Sequence, residues 1–208
     1  MKNTYLVLII LLSSFAQGFS QKKISLEEIW RDYNFISRSL PGFNFQNDGK
    51  HYTQLERNKI EQYDLTTGKL TQTLFDAATA AGRDNSDFNG QINGYSFSDD
   101  ESKILVWTES ERIYRHSRKA KYFVYDRNQS KLYNVFPKGK IRYATFNPQA
   151  TKVAFVFDNN LFYYDIATEK AVPVTTDGKE NAIINGGTDW VYEEEFGFDR
   201  AFQWSPDG

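Results

Sequence analysis

The chain has 208 residues, a formal charge of -2, no cysteine, and an aromatic content of 16% within a hydrophobic content of 40%. That balance supplies a sizeable core but no basic field for nucleic acid or an anionic membrane, and it excludes a disulfide framework or a lipid-bearing cysteine. The two histidines, His51 and His116, lie far apart, so no metal site is expected, and without a Gly-rich phosphate loop no cofactor is expected either.

Residues 1–20 read as a secretory signal: Lys2 gives a short basic start, Tyr5 to Leu12 is an unbroken apolar run, and Ala16, Gly18 and Ser20 offer cleavage positions before Gln21. The apolar run falls short of the about 20 residues that cross a bilayer, so a retained anchor is the less favoured reading. The mature protein is expected in the periplasm or secreted, with no stable membrane insertion after cleavage.

Residues 21–40 should hold one helix. Ser25 and Glu28 have capping-box spacing, Leu26, Ile29, Trp30 and Tyr33 form a helical apolar stripe, and Leu40-Pro41-Gly42 marks the expected end. From residue 41 to 208 the pattern changes to short runs of aromatic and β-branched residues, such as Lys121 to Tyr125 and Lys152 to Phe157, separated by Asp, Asn and Gly. Those are strands and turns.

The strands repeat. One marker, an aromatic followed by a polar turn, occurs at Phe45, Phe97, Phe146 and Trp204, at intervals of 52, 49 and 58 residues, and in the first three a lysine follows at Lys50, Lys103 and Lys152. A second marker, Tyr-Asp leading to lysine, occurs at Tyr63-Asp64, Tyr125-Asp126 and Tyr164-Asp165. Two hairpin turns and about four strands per period are the pattern of a β-propeller blade, with an irregular sandwich as the alternative. The closing Trp204-Ser205-Pro206-Asp207-Gly208 resembles the opening of a fourth unit, so the chain reads as a fragment.

Insertions show where the repeat is broken. The distance between the two markers is 19 residues in the first and third units but 29 in the second, the extra ten falling in the polar segment from Thr108 to Arg118. A second long insertion follows Asp165 and contains Asp189-Trp190-Val191-Tyr192-Glu193-Glu194-Glu195-Phe196. Insertions in repeat arrays collect on one face, commonly the binding face, so these two segments become candidates for one site. A third, from Ala77 to Gly94, reads as a surface loop. An acidic run usually faces water, but Trp190, Tyr192, Phe196 and Phe198 would normally be buried and would hold the carboxylates against apolar surface, where they need a cation.

The acidic run followed by Trp204-Ser205-Pro206-Asp207-Gly208, with Tyr114-Arg115-His116-Ser117 in the other insertion, resembles the dipeptidyl peptidase IV family of prolyl oligopeptidase-type serine peptidases. The resemblance spans essentially the whole mature chain. It implies an all-β fold: a partial β-propeller of about three blades out of eight, truncated at the start of the fourth, preceded by a short N-terminal helix. It further implies that Glu194 and Glu195 bind the free N-terminal ammonium of a peptide substrate, that Arg115 contacts the adjacent backbone carbonyl, and that Glu193 is structural or solvated.

In such a family the parent protein releases Xaa-Pro or Xaa-Ala dipeptides, and homodimerisation of the full-length protein stays open. Residues 1–208 contain no Gly-x-Ser-x-Gly elbow; the nearest match, Gly94-Tyr95-Ser96, runs on into a strand. No catalytic residue is therefore assigned here, and the α/β-hydrolase domain is expected beyond Gly208. Contiguous glutamates converge only on a turn or short helix, because on a strand they would face opposite ways. The alternatives are a non-catalytic periplasmic propeller that binds peptides or proteins, and a tripeptidyl relative.

Overall fold

The computed structural model describes residues 23–37, 39, 41–81 and 87–208, so the expected signal at 1–20 lies outside the described residues. Contacts divide the chain into two units, Met1–Leu40 and Pro41–Gly208. In the first, α1 (Leu26–Trp30) carries the expected capping box: Glu28 N donates to Ser25 Oγ at 3.2 Å and Ser25 N donates to Glu28 Oε2 at 3.3 Å. The helix is shorter than its sequence pattern suggests. It ends at Trp30, no residue in it is buried, and Tyr33 turns to a φ of 52°. A stripe that buries nothing cannot extend a helix against its nucleation cost.

The second unit is a partial β-propeller of three four-stranded antiparallel sheets, each with its strands in chain order. The first sheet holds β1 (Phe43–Phe45), β2 (His51–Glu56), β3 (Lys59–Asp64) and β4 (Leu70–Asp76). The second follows α2 (Ala77–Ala81) and holds β5 (Gly94–Phe97), β6 (Lys103–Arg112), β7 (Arg118–Asp126) and β8 (Lys131–Asn134). The third holds β9 (Arg142–Phe146), β10 (Lys152–Phe157), β11 (Asn160–Asp165) and β12 (Lys170–Pro173). A final helix, α3, spans Trp190–Phe196.

Both sequence markers fall on hairpins. The aromatic-turn-lysine marker joins the first and second strands of every sheet, closed by Gln46 N to His51 O, Ser98 N to Lys103 O and Asn147 N to Lys152 O. The Tyr-Asp marker joins the third and fourth, and there the aspartate turns the chain itself: Asp64 accepts from the amides of Thr66 and Thr67, Asp126 from Asn128 and Gln129, and Asp165 from Thr168. Short polar side chains that bond their own backbone are what a tight reversal needs.

The middle sheet faces two cores, one on each side, because successive strand residues point to opposite faces. Ile104, Val106 and Phe123 join Ile60, Phe75 and Phe88 on one side, while Leu105 and Val124 join Val153, Phe155 and Ile141 on the other. The segment from Ala77 to Gly94 is therefore more than a surface loop. It contains α2, and Phe88 and Ile92 are buried between the first and second sheets.

Candidate recognition site

The ten extra residues of the second unit form an arm in place of a loop. β6 and β7 pair through Glu111↔Lys119 and Arg112↔Arg118, past a bulge in which Glu109 takes a φ of 52°. A bulge twists and redirects a strand. Lys121 bonds Glu109 at 2.8 Å, Lys119 pairs with Glu111 at 3.1 Å, and Lys140 reaches both glutamates from the β8–β9 connection. At the tip, Arg112 folds back and donates to the carbonyls of Tyr114 (2.9 Å) and Arg115 (3.0 Å). One guanidinium thus shapes the turn that presents Arg115.

The acidic run sits on a pinched excursion after the third sheet. Its neck is closed by Thr188 N to Asp199 O and Ala201 N to Gly186 O, both at 3.0 Å, and Arg200 and Trp204 tie it to Thr145 of β9. Asp189 caps α3 by accepting from Tyr192 N, and Gly197 closes it at φ 72°, a left-handed turn that a Cβ would strain. Glu193 belongs to the first turn of this helix, but Glu194 and Glu195 lie toward its C-terminal end, where the macrodipole disfavours negative charge by about 0.3–1 kcal/mol each. Such a local violation needs an external partner.

Each glutamate meets a different environment. Glu193 is only 2% exposed, and its Oε1 accepts from the backbone amides of His116 (2.6 Å) and Ser117 (2.9 Å) at the arm tip. Burial alone would raise its pKa, but the amides of Ser117 and His116 outweigh that and hold the carboxyl below the ordinary glutamate value. Glu194 pairs with Arg115, Nε to Oε2, at 2.9 Å. The guanidinium is well exposed while the carboxylate is largely covered, with side-chain exposures of 66% and 13%. Glu195 is exposed, and among the described residues it has no hydrogen-bond or ion-pair partner.

Behind this trio stands Tyr143, at a φ of 59° beside a register shift between β9 and β10. Its ring packs against Gly187, where a Cβ would lie 3.3 Å away. Burial, which outweighs the nearby Arg142, pushes its phenol up to about 12. The Ser117 hydroxyl is buried beside Glu193 and Tyr143 without a well-aligned hydrogen bond.

The geometry therefore brings Arg115 of the arm tip and Glu194 and Glu195 of α3 into one neighbourhood. It corrects the expected aromatic frame: Trp190, Tyr192, Phe196 and Phe198 are exposed, with Tyr192 touching Phe196 and Phe198 at 5.5 and 5.4 Å. Apolar burial by these rings does not isolate Glu193; the backbone of the arm tip does. His51 plays no part here and pairs with Asp48 at 2.6 Å in the first sheet. Sequence reasoning missed Arg112 and Tyr143. Arg112 is one of several arginines near the tip, and nothing local marks a left-handed tyrosine.

Comparisons with known proteins agree with this architecture. Residues 98–208 match the family described as the dipeptidyl peptidase IV (DPP IV) N-terminal region. Dipeptidyl aminopeptidase B of Saccharomyces cerevisiae is 35% identical over 124 residues, covering 58% of this chain and 15% of that protein. Dipeptidyl peptidase 4 of Felis catus is 37% identical over 127 residues, covering 59% of this chain and 16% of that protein. The crystal structure of Porphyromonas gingivalis dipeptidyl peptidase 4 superimposes with a TM-score of 0.78 and 37% identity, covering 89% of this chain and 26% of that one. The chain thus spans about 15% of the length of these curated relatives. With more than half of its residues inside the match, it belongs to the dipeptidyl peptidase IV N-terminal region family.

Proposed function

We propose that this chain is the substrate-recognising N-terminal region of an exported dipeptidyl aminopeptidase, in which Glu194 and Glu195 hold the free N-terminal ammonium of a peptide while Arg115 holds the adjacent backbone carbonyl. The observation that carries this reading is the Arg115–Glu194 ion pair, which joins two insertions 79 positions apart in the chain beside an unpaired Glu195. An ammonium has three donors and no acceptor, so two converging carboxylates can satisfy most of it. Arg115 uses Nε on Glu194 and, being exposed, can turn its remaining donors to a carbonyl.

The local charges favour a cation. Three carboxylates against the guanidiniums of Arg115 and Arg112 leave an excess of one negative charge, and Glu193 is already occupied by backbone amides. A fixed ammonium site acts as a ruler: it sets the distance from the substrate N-terminus to the bond that is cut, favouring dipeptide release and rejecting blocked ends. Peptide-bond cleavage itself is assigned to a catalytic domain outside these residues. The names of the relatives, dipeptidyl aminopeptidase B and dipeptidyl peptidase 4, support this assignment. The run from Tyr5 to Leu12 supports export to the periplasm or beyond.

The test uses the full-length protein. It should hydrolyse Gly-Pro chromogenic amides and spare their N-acetylated forms, and Glu195→Ala should lower kcat/KM by about a hundredfold, the scale of a lost charge-assisted contact made only in the bound complex. Full activity in that variant would overturn the ammonium assignment. Free-amine peptide binding without any dipeptide release would favour the non-catalytic propeller instead.

A further inference from the structure

The arm tip has little to hold it in place. Tyr114, Arg115 and His116 are exposed, and the only backbone hydrogen bonds from the tip to another described element both end on Glu193 Oε1. Those two amides directly follow Arg115. On the other side, the Arg112 guanidinium grips the carbonyls of Tyr114 and Arg115. Arg115 is therefore fixed from within the arm by Arg112 and from α3 by Glu193.

Resting on the recognition role above, we propose that Glu193 is a positioning residue that latches the arm to α3 and so keeps Arg115 in register with Glu194 and Glu195, without touching substrate. A buried carboxylate is a costly way to add stability, because two charged-form requirements, desolvation and full hydrogen bonding, must be met at once. What it supplies that an apolar side chain cannot is direction: one oxygen accepting two successive N–H groups admits a single placement of the turn. Glu193 and Glu194 are adjacent on the helix, so the same short segment that clamps the backbone after Arg115 also receives its side chain. The buried Ser117 hydroxyl and the Tyr143 phenol lie beside the latch carboxylate.

Reach and charge can be separated by substitution. Glu193→Gln keeps an acceptor oxygen at the same distance and loses the charge; Glu193→Asp keeps the charge and falls one methylene short. In full-length protein, Gly-Pro amide hydrolysis is measured for both, together with Glu194→Ala, and amide hydrogen exchange is followed at His116 and Ser117. The latch requires Gln to stay within about threefold of the parent KM, and Asp to raise KM about tenfold or more with little change in kcat, the pattern of weakened binding.

Exchange at His116 and Ser117 should accelerate in the Asp variant alone, while the core amides of Val106 and Val124 stay protected and show that the variant is folded. An Asp variant with parental KM and exchange, or a Gln variant worse than Asp, would overturn the latch. Parental KM in Glu194→Ala would instead overturn the recognition reading, and the exchange result would still decide the latch.

Discussion

Between the second and third sheets, Phe136 lies 5.1 Å from Phe155 and 5.8 Å from Phe162, and Phe155 stacks on Phe162 at 5.4 Å; between the arm and α3, one carboxylate oxygen and one ion pair make the alignment. The apolar seam is wide and non-directional. Many contacts share its energy, and a small shift of one ring is absorbed by the next. The polar seam is narrow and directional, so it contributes less to holding the molecule together but fixes specific atoms. The difference separates two requirements that one kind of contact meets poorly: keeping neighbouring sheets together, and holding a guanidinium opposite two carboxylates.

Breaking each seam should therefore give different phenotypes. The largest effect is expected for Phe155→Ala, which empties a fully buried ring position and should cost about 3–5 kcal/mol of stability. Chemical denaturation would read this as a lower midpoint, with the KM of the remaining folded protein close to the parent value. A large KM change at full stability would contradict the division of labour.

The second effect is one of pH. Because the folded Glu193 carboxyl lies below its ordinary value, the contribution of its charge to the polar seam is fully present above the unfolded-state pKa of about 4.3 and is lost as pH falls through the lower folded value. Protection of the Ser117 amide should hold down to that ordinary value and loosen only slightly below it, because the protonated acid keeps the acceptor oxygen that Glu193→Gln also keeps, while Val153 in the apolar seam shows no transition there. Loss of protection centred above the ordinary glutamate value would refute the carboxylate as the acceptor.

The smallest effect is expected at the base of the arm. Lys140 pairs with Glu109 and Glu111, but all three are solvent-accessible. Exposed pairs are screened by salt and contribute little. Lys140→Ala should leave the melting temperature unchanged within error and keep KM within about twofold of the parent. A strong destabilisation would mean that the arm leans on this network more than on Glu193.

The sheets were legible because hairpin chemistry is local. Tyr63-Asp64, Tyr125-Asp126 and Tyr164-Asp165 carry their turn instructions within four or five residues, and the apolar run from Val153 to Val156 marks a strand that is buried throughout. The arm was not legible as strands, since its outer part buries neither face and Glu109 to Arg118 shows no apolar period. The run from Ala77 to Gly94 hid two core residues, Phe88 and Ile92, among Asn, Asp and Gly, because burial there depends on packing between the sheet before it and the sheet after it. In the acidic run, residue type marked all three glutamates alike. Which one is buried follows from the approach of His116 and Ser117, a tertiary fact with no local signature.

The strand order within each sheet carries a temporal consequence. Every sheet pairs only sequence neighbours, so each can close by successive hairpins with short loops and modest entropy loss. The bond from His116 to Glu193 spans 77 residues and needs the second sheet, the third sheet and the pinched excursion to exist first. During synthesis or refolding the scaffold therefore matures ahead of the site. A chain can hold most of its native hydrogen bonds and still lack a competent clamp, so recovery of secondary structure would run ahead of recovery of substrate recognition.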